Sequence, residues 1–164
     1  LDNAPIVVTG SNSGINLGVD KACIVTSSGQ IAGSVAVNGG VLIVKGGKAT
    51  GNVSIGANST IICTTGSTIG GGDVDVIGSG VGASIAFQGC TVNGKFSTNG
   101  IEFLDLGGNN FNGNVTSTAN SYVTIKNNSV NNNKNLTVSQ VVVECSISGN
   151  TVTGTTTLDP KCQA

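Results

Sequence analysis

The chain contains no arginine, histidine, methionine or tryptophan, a single tyrosine, two prolines, and only 9% charged residues among 164. Each scarcity excludes something. Without His there can be no Ser–His or Cys–His nucleophile pair, and the usual zinc ligand sets are missing. A net charge of −1 with seven dispersed lysines forms no basic patch, so nucleic acid and anionic membrane surfaces are not expected partners. No apolar run approaches the ~18 residues that span a bilayer. Low charge with few large side chains can signal disorder, but a 38% hydrophobic fraction rich in Val and Ile argues for a packed core. No signal peptide is visible, and Leu1 in place of Met is expected to follow a segment that has been removed.

What the chain does have is a repeat. Seven phrases recur: SGQIAG, GGKATG, GSTIGG, GCTVNG, GNNFNG, NNSVNN and GNTVTG. Each places an apolar anchor two residues before Gly or Asn. The anchors are Ile31, Ala49, Ile69, Val92, Phe111, Val130 and Val152, separated by 18, 20, 23, 19, 19 and 22 residues. Every unit also carries two short apolar alternations. The first follows the Gly (Val35/Val37, Val53/Ile55, Val74/Val76, Phe96, Val115, Leu136/Val138); the second lies mid-unit (Val41/Ile43, Ile61/Cys63, Ile101/Phe103, Val123/Ile125, Val141/Val143). Period-two alternation means strands buried on one face, and three short strands per unit of about 20 residues describe one coil of a solenoid. β-Branched residues, Gly and Asn are poor helix formers, and no 3.6-residue stripe competes.

The expected fold is therefore all-β: a right-handed, single-stranded parallel β-helix of about seven coils forming a single domain. Coils are expected over 22–158, with residues 1–20 as an N-terminal cap and 159–164 as a trailing tail. Asn109, Asn128 and Asn150 each precede an anchor by two residues, so they should stack as a structural ladder in a buried corner. These phrases, ISGNTVTGTTTL above all, resemble the generic repeat of pectate-lyase-like parallel β-helices across roughly residues 22 to 158. That resemblance implies the fold and leaves function open, because the scaffold hosts lyases, hydrolases, adhesins and filaments.

The catalytic groups of those enzymes are missing. Lyases of that kind need an acidic calcium cluster and an Arg or Lys base; the hydrolases need clustered carboxylates with basic clamps. Two acidic pairs stand in the sequence. Asp73 and Asp75 flank Val74 and would face outward about 7 Å apart; pairing with Lys95 on the next coil explains them better than a calcium site. Glu102 and Asp105 read as a solvated strand face, and Tyr122 as core or rim packing. Thr116/Thr118 and Thr155/Thr157 resemble ice-binding pairs, but the column is interrupted by other residue types. No catalytic residue, metal site or cofactor is expected. The sequons at Asn52, Asn58, Asn114, Asn127 and Asn135 are about as many as chance gives in such a composition.

Five cysteines imply an oxidising compartment, expected to be extracellular, vacuolar or periplasmic through the secretory pathway, and an odd number leaves one without an intrachain partner. Cys23, Cys63 and Cys145 continue apolar alternations and are expected in the core, with Cys23 over the Val41 column. Cys63 and Cys90 fall on neighbouring coils but four alignment positions apart, which reads as too far for a bridge. Cys90, in the corner column, and Cys162, in the tail, are thus the candidates for intermolecular disulfides; a bond from Cys162 back to Cys145 is the alternative. A rigid, weakly charged body with such cysteines and no catalytic groups resembles the octins, which build disulfide-linked vacuolar crystals in moulds. The expected function is a non-enzymatic structural protein whose partner is itself. The alternative is an adhesin or glycan-binding module, with an ice-binding protein or a polysaccharide-active enzyme further behind.

Overall fold

The computed structural model describes residues 4–71, 74–77 and 82–163, with the backbone alone for 74–77. The chain forms three parallel sheets of eight strands each, and successive coils contribute one strand to each sheet. Sheet A runs from Ile6–Val8 through Ala22–Val25, Val41–Val44, Thr60–Cys63, Ser84–Gln88, Phe103–Gly107 and Tyr122–Lys126 to Glu144–Ser148. Sheet B consists of two-residue strands from Ser11–Asn12 to Thr151–Val152, and sheet C runs from Ile15–Leu17 to Thr156–Thr157. Eight strands per sheet make a β-solenoid of about seven turns. We number the coils 1 to 8 from the N-terminal end.

The anchors stack as the repeat requires. Ile31 pairs with Ala49, then Ile69, Val92, Phe111, Val130 and Val152, one above another in sheet B. Across the core, Val35, Val53, Val74, Phe96, Val115 and Leu136 form the matching column of sheet C. The described strands keep one register although the coils differ in length. Phe87, Phe96 and Phe111 pack together in the core, with successive ring centroids 5.6 Å apart and inclined by 62° and 59°.

In coils 3 to 8 the corner between sheets A and B turns on a left-handed residue. Gly46, Gly66, Gly89, Gly108, Asn127 and Gly149 occupy equivalent positions in six successive coils, all with φ between 58° and 83°. Glycine adopts this backbone freely and Asn tolerates it, which explains why the chain is built from these residues.

Two expectations are corrected at the ends. Residues 6–17 are the first coil and not part of a cap, since Ile6–Val8, Ser11–Asn12 and Ile15–Leu17 pair in register with coil 2. Asn12 stands where every later coil has an apolar anchor, so the pattern hides this coil. At the other end the tail does not trail. Pro160–Cys162 forms a 3-10 turn packed over the start of coil 8, with Cys162 buried.

Candidate functional site

Two buried polar ladders run along the corners. In the A–B corner, Asn128 Oδ1 accepts from the Asn109 backbone N–H (2.9 Å), and Asn150 Oδ1 accepts from that of Asn128 (2.9 Å). The Asn128 amide donates to Leu106 O (2.9 Å), and the Asn109 amide to Phe87 O (2.8 Å). Cys90 continues the column, giving its N–H to Asn109 Oδ1 at 2.9 Å. One coil earlier Ser67 fills the same role, accepting from the Gly46 N–H and donating to Val44 O. The other ladder was not anticipated. Asn120, buried in the C–A corner, donates to Thr98 Oγ1 and Ser117 Oγ and accepts from the Ile101 N–H. Both are structural: no buried side-chain polar atom among the described residues is left without a partner.

The cysteines depart from expectation. Cys90 is bonded to Cys63, with Cα atoms 6.3 Å apart, and is buried, so it is not an accessible cross-linking thiol. Four alignment positions would span about 13 Å along an extended strand, but the left-handed turn at Gly66 folds the corner inward and brings the two columns together. Cys162 is bonded to Cys145, Cα–Cα 4.8 Å, which fastens the tail to coil 8. Cys23 is the unpaired thiol; it is fully buried, and burial pushes its pKa up. It stacks on Leu42, not Val41. Two intrachain disulfides point to an oxidising, non-cytosolic environment.

The stacking of Cys23 on Leu42 sets which residues of sheet A face outward. Leu42 and Val44 point into the core, whereas Val41 and Ile43 point out. All four residues are apolar, so alternation alone gives no phase, and a one-residue slip exchanges the faces. In the expected pairs Ile101/Phe103 and Val141/Val143 only the first member is buried, while Phe103 and Val143 are 46% and 51% exposed. On the outer face of sheet A, Val7, Ile24, Ile43, Ile62 and Ala86 therefore stack in one column over five coils. Ala22 and Val41 stand beside them. The outer column of sheet B, by contrast, reads Ser11, Gln30, Lys48, Thr68, Thr91, Asn110, Ser129 and Thr151. That of sheet C is mostly Asn, Ser and Thr, including Ser54, Ser97, Thr116 and Thr137.

In coils 6 to 8 the same face changes character. Phe103 and Tyr122 lie on adjacent strands with rings stacked at 5.0 Å and 12°, both substantially exposed. Tyr122 was expected in core or rim packing and instead forms half of this surface pair. Beside it is a depression of about 110 Å³ lined by Tyr122, Val123, Thr124, Glu144 and Ser146. Asp105 is exposed on the neighbouring strand and accepts a hydrogen bond from Gln88 Nε2 at 3.1 Å. Asp73 and the side chain of Asp75 lie outside what is described, and with them the expected partnership with Lys95. Among the described residues no group of three or more His, Cys, Asp or Glu side chains could hold a metal ion, and no helix is long and apolar enough to cross a membrane.

Comparison with protein-family models, with curated proteins and with solved structures found no match in any of the three. The reading of function therefore rests on the surface itself.

Proposed function

We propose that this chain is a non-enzymatic structural protein that self-associates through the outer face of sheet A. The observation that carries this reading is the apolar column Val7–Ile24–Ile43–Ile62–Ala86, on a solenoid whose sheet B outer column is polar throughout. Strands apolar on both faces, such as Val41–Val44, are typical of sheets covered on both sides. Val7 is exposed and Ile24, Ile43, Ile62 and Ala86 are partly exposed, and a contiguous apolar strip of this kind marks a contact surface.

A second copy fits this strip by its shape and charge. Both partners would be flat, and sheets pack face to face at about 10 Å. The scarcity of charge, 9% of residues, leaves little repulsion between copies. The five-coil apolar strip of sheet A measures roughly 24 Å by 13 Å, so a pair would bury about 600 Å². Specific stable interfaces begin near ~1,200 Å², so a single contact is weak and association builds with concentration or by repetition in an array. Ordered assembly is also what the resemblance to octins implies. Here apolar packing takes the part first assigned to Cys90 and Cys162, which are paired within the chain. An extracellular or vacuolar compartment suits a disulfide-bonded protein at high local concentration.

Sedimentation velocity over a concentration series tests the proposal. The chain should shift to larger species as concentration rises, and the triple variant Ile24→Thr, Ile43→Thr, Ile62→Thr should remain monomeric. Threonine keeps β-propensity, so the variant should fold. A wild-type chain that stays monomeric at millimolar concentration contradicts the proposal.

A further inference from the structure

We propose that the depression beside Tyr122 is a binding site for a neutral sugar ring. Phe103 braces one face of Tyr122, with the rings 5.0 Å apart and nearly parallel, so the tyrosine is held in one orientation. Tyr122 then forms a wall of the depression it shares with Val123, Thr124, Glu144 and Ser146. A pyranose presents an apolar C–H face and a rim of hydroxyls. Tyr122 supplies apolar surface against that C–H face, and a rigid ring does so at little entropic cost. Thr124 and Ser146 supply hydroxyls that donate or accept, and the Glu144 carboxylate accepts from sugar O–H groups. A concave site with one apolar wall and a few convergent polar groups is the usual form of a small-ligand site.

Charge selects the class of sugar. Glu102, Asp105 and Glu144 outnumber Lys126 and Lys161, whose ammonium sits on the Val142 carbonyl near Glu144, so an acidic sugar is disfavoured. The depression, about 110 Å³ and open to solvent on one side, takes up part of one ring and not a stretch of polymer. With so few contacts the dissociation constant should be about 1 mM. The site lies in coils 7 and 8, outside the apolar column, so it stands or falls independently of self-association.

The test is a titration of the ¹⁵N-labelled chain, carried out on the Ile43→Thr variant to limit association. The probes are glucose, galactose, mannose, N-acetylglucosamine and, as the acidic comparison, glucuronate. At least one neutral sugar should give saturable shifts at the Val123, Thr124, Glu144 and Ser146 amides. Tyr122→Ala should weaken binding at least tenfold, and Tyr122→Phe should retain it. Should Tyr122→Ala fail to fold, Glu144→Gln, with its exposed side chain, is expected to weaken binding severalfold. No saturable shift with any neutral sugar, equal binding of glucuronate, or indifference to both substitutions would each overturn the assignment.

Discussion

Asn109 and Asn128, 19 residues apart in the chain, are joined by two hydrogen bonds, because Asn128 Oδ1 accepts both the backbone and the side-chain N–H of Asn109. The pair belongs to a column in which each amide satisfies the backbone of the coil beside it. Buried networks of this kind are costly to break, because the surviving partners are left without water.

Asn128→Ala should therefore destabilise the fold by about 2–4 kcal/mol, since it orphans the Asn109 N–H and the Leu106 carbonyl. Asn112→Ala removes an exposed side-chain bond to Asn93 and should cost less than ~0.5 kcal/mol. Urea unfolding of the two variants, with unchanged slopes, measures the contrast.

The two disulfides should behave differently on removal. Cys63 and Cys90 close a 27-residue separation across the middle of the stack, so replacing both by Ala should lower global stability by about 3 kcal/mol. Cys145 and Cys162 fasten an end. Their replacement should free residues 159–163, seen as faster amide exchange at Val141 and Cys162, while exchange in the central coils stays unchanged.

The tail also carries a pH dependence. Asp159 accepts from the Lys161 N–H (3.0 Å) and, through its other oxygen, from the Val141 N–H (3.2 Å). The Lys161 backbone bond chiefly, and the Val141 bond after it, hold its carboxyl below the ordinary carboxylate value. A folded-state pKa below the unfolded one means that the carboxylate's contribution is present above the unfolded value, near 3.9, and is lost as pH falls through the folded one. Tail docking, followed by the Val141 amide resonance, should loosen in that acid window, and Asp159→Asn should abolish the transition.

Gly66 isolates the cost of the left-handed corner. A Cβ there would meet nothing within 4 Å, yet φ is 83°. Gly66→Ala should cost about 1–2 kcal/mol from backbone strain alone. Asn127→Gly, at the equivalent corner, should be neutral to slightly stabilising, as thermal unfolding would show.

The register was legible because the anchors are single apolar residues between turn residues; a phrase such as GNTVTG admits one alignment. The Asn column was legible for the same reason. Coil 1 was hidden by Asn12, which breaks the anchor pattern although its backbone pairs normally with Ile31. The faces of Val41–Val44 were hidden because four consecutive apolar residues have no phase, and this concealed the outer surface on which the proposed function rests. The Cys63–Cys90 bond was hidden because sequence alignment measures distance along a strand, while the corner at Gly66 closes it through space. Asn120 carried no visible periodicity: its column holds Ile101 in the preceding coil, and the ladder exists only through Thr98 and Ser117.

Cross-linking from the centre of the apolar column tests the account most directly. Ile43→Cys places a thiol on the outer face of sheet A, and Thr68→Cys places one on the polar face of sheet B. Under mild oxidation, non-reducing electrophoresis should show Ile43→Cys forming a covalent dimer at least ten times faster than Thr68→Cys. Equal rates for the two, or faster dimerisation from sheet B, would contradict association through sheet A.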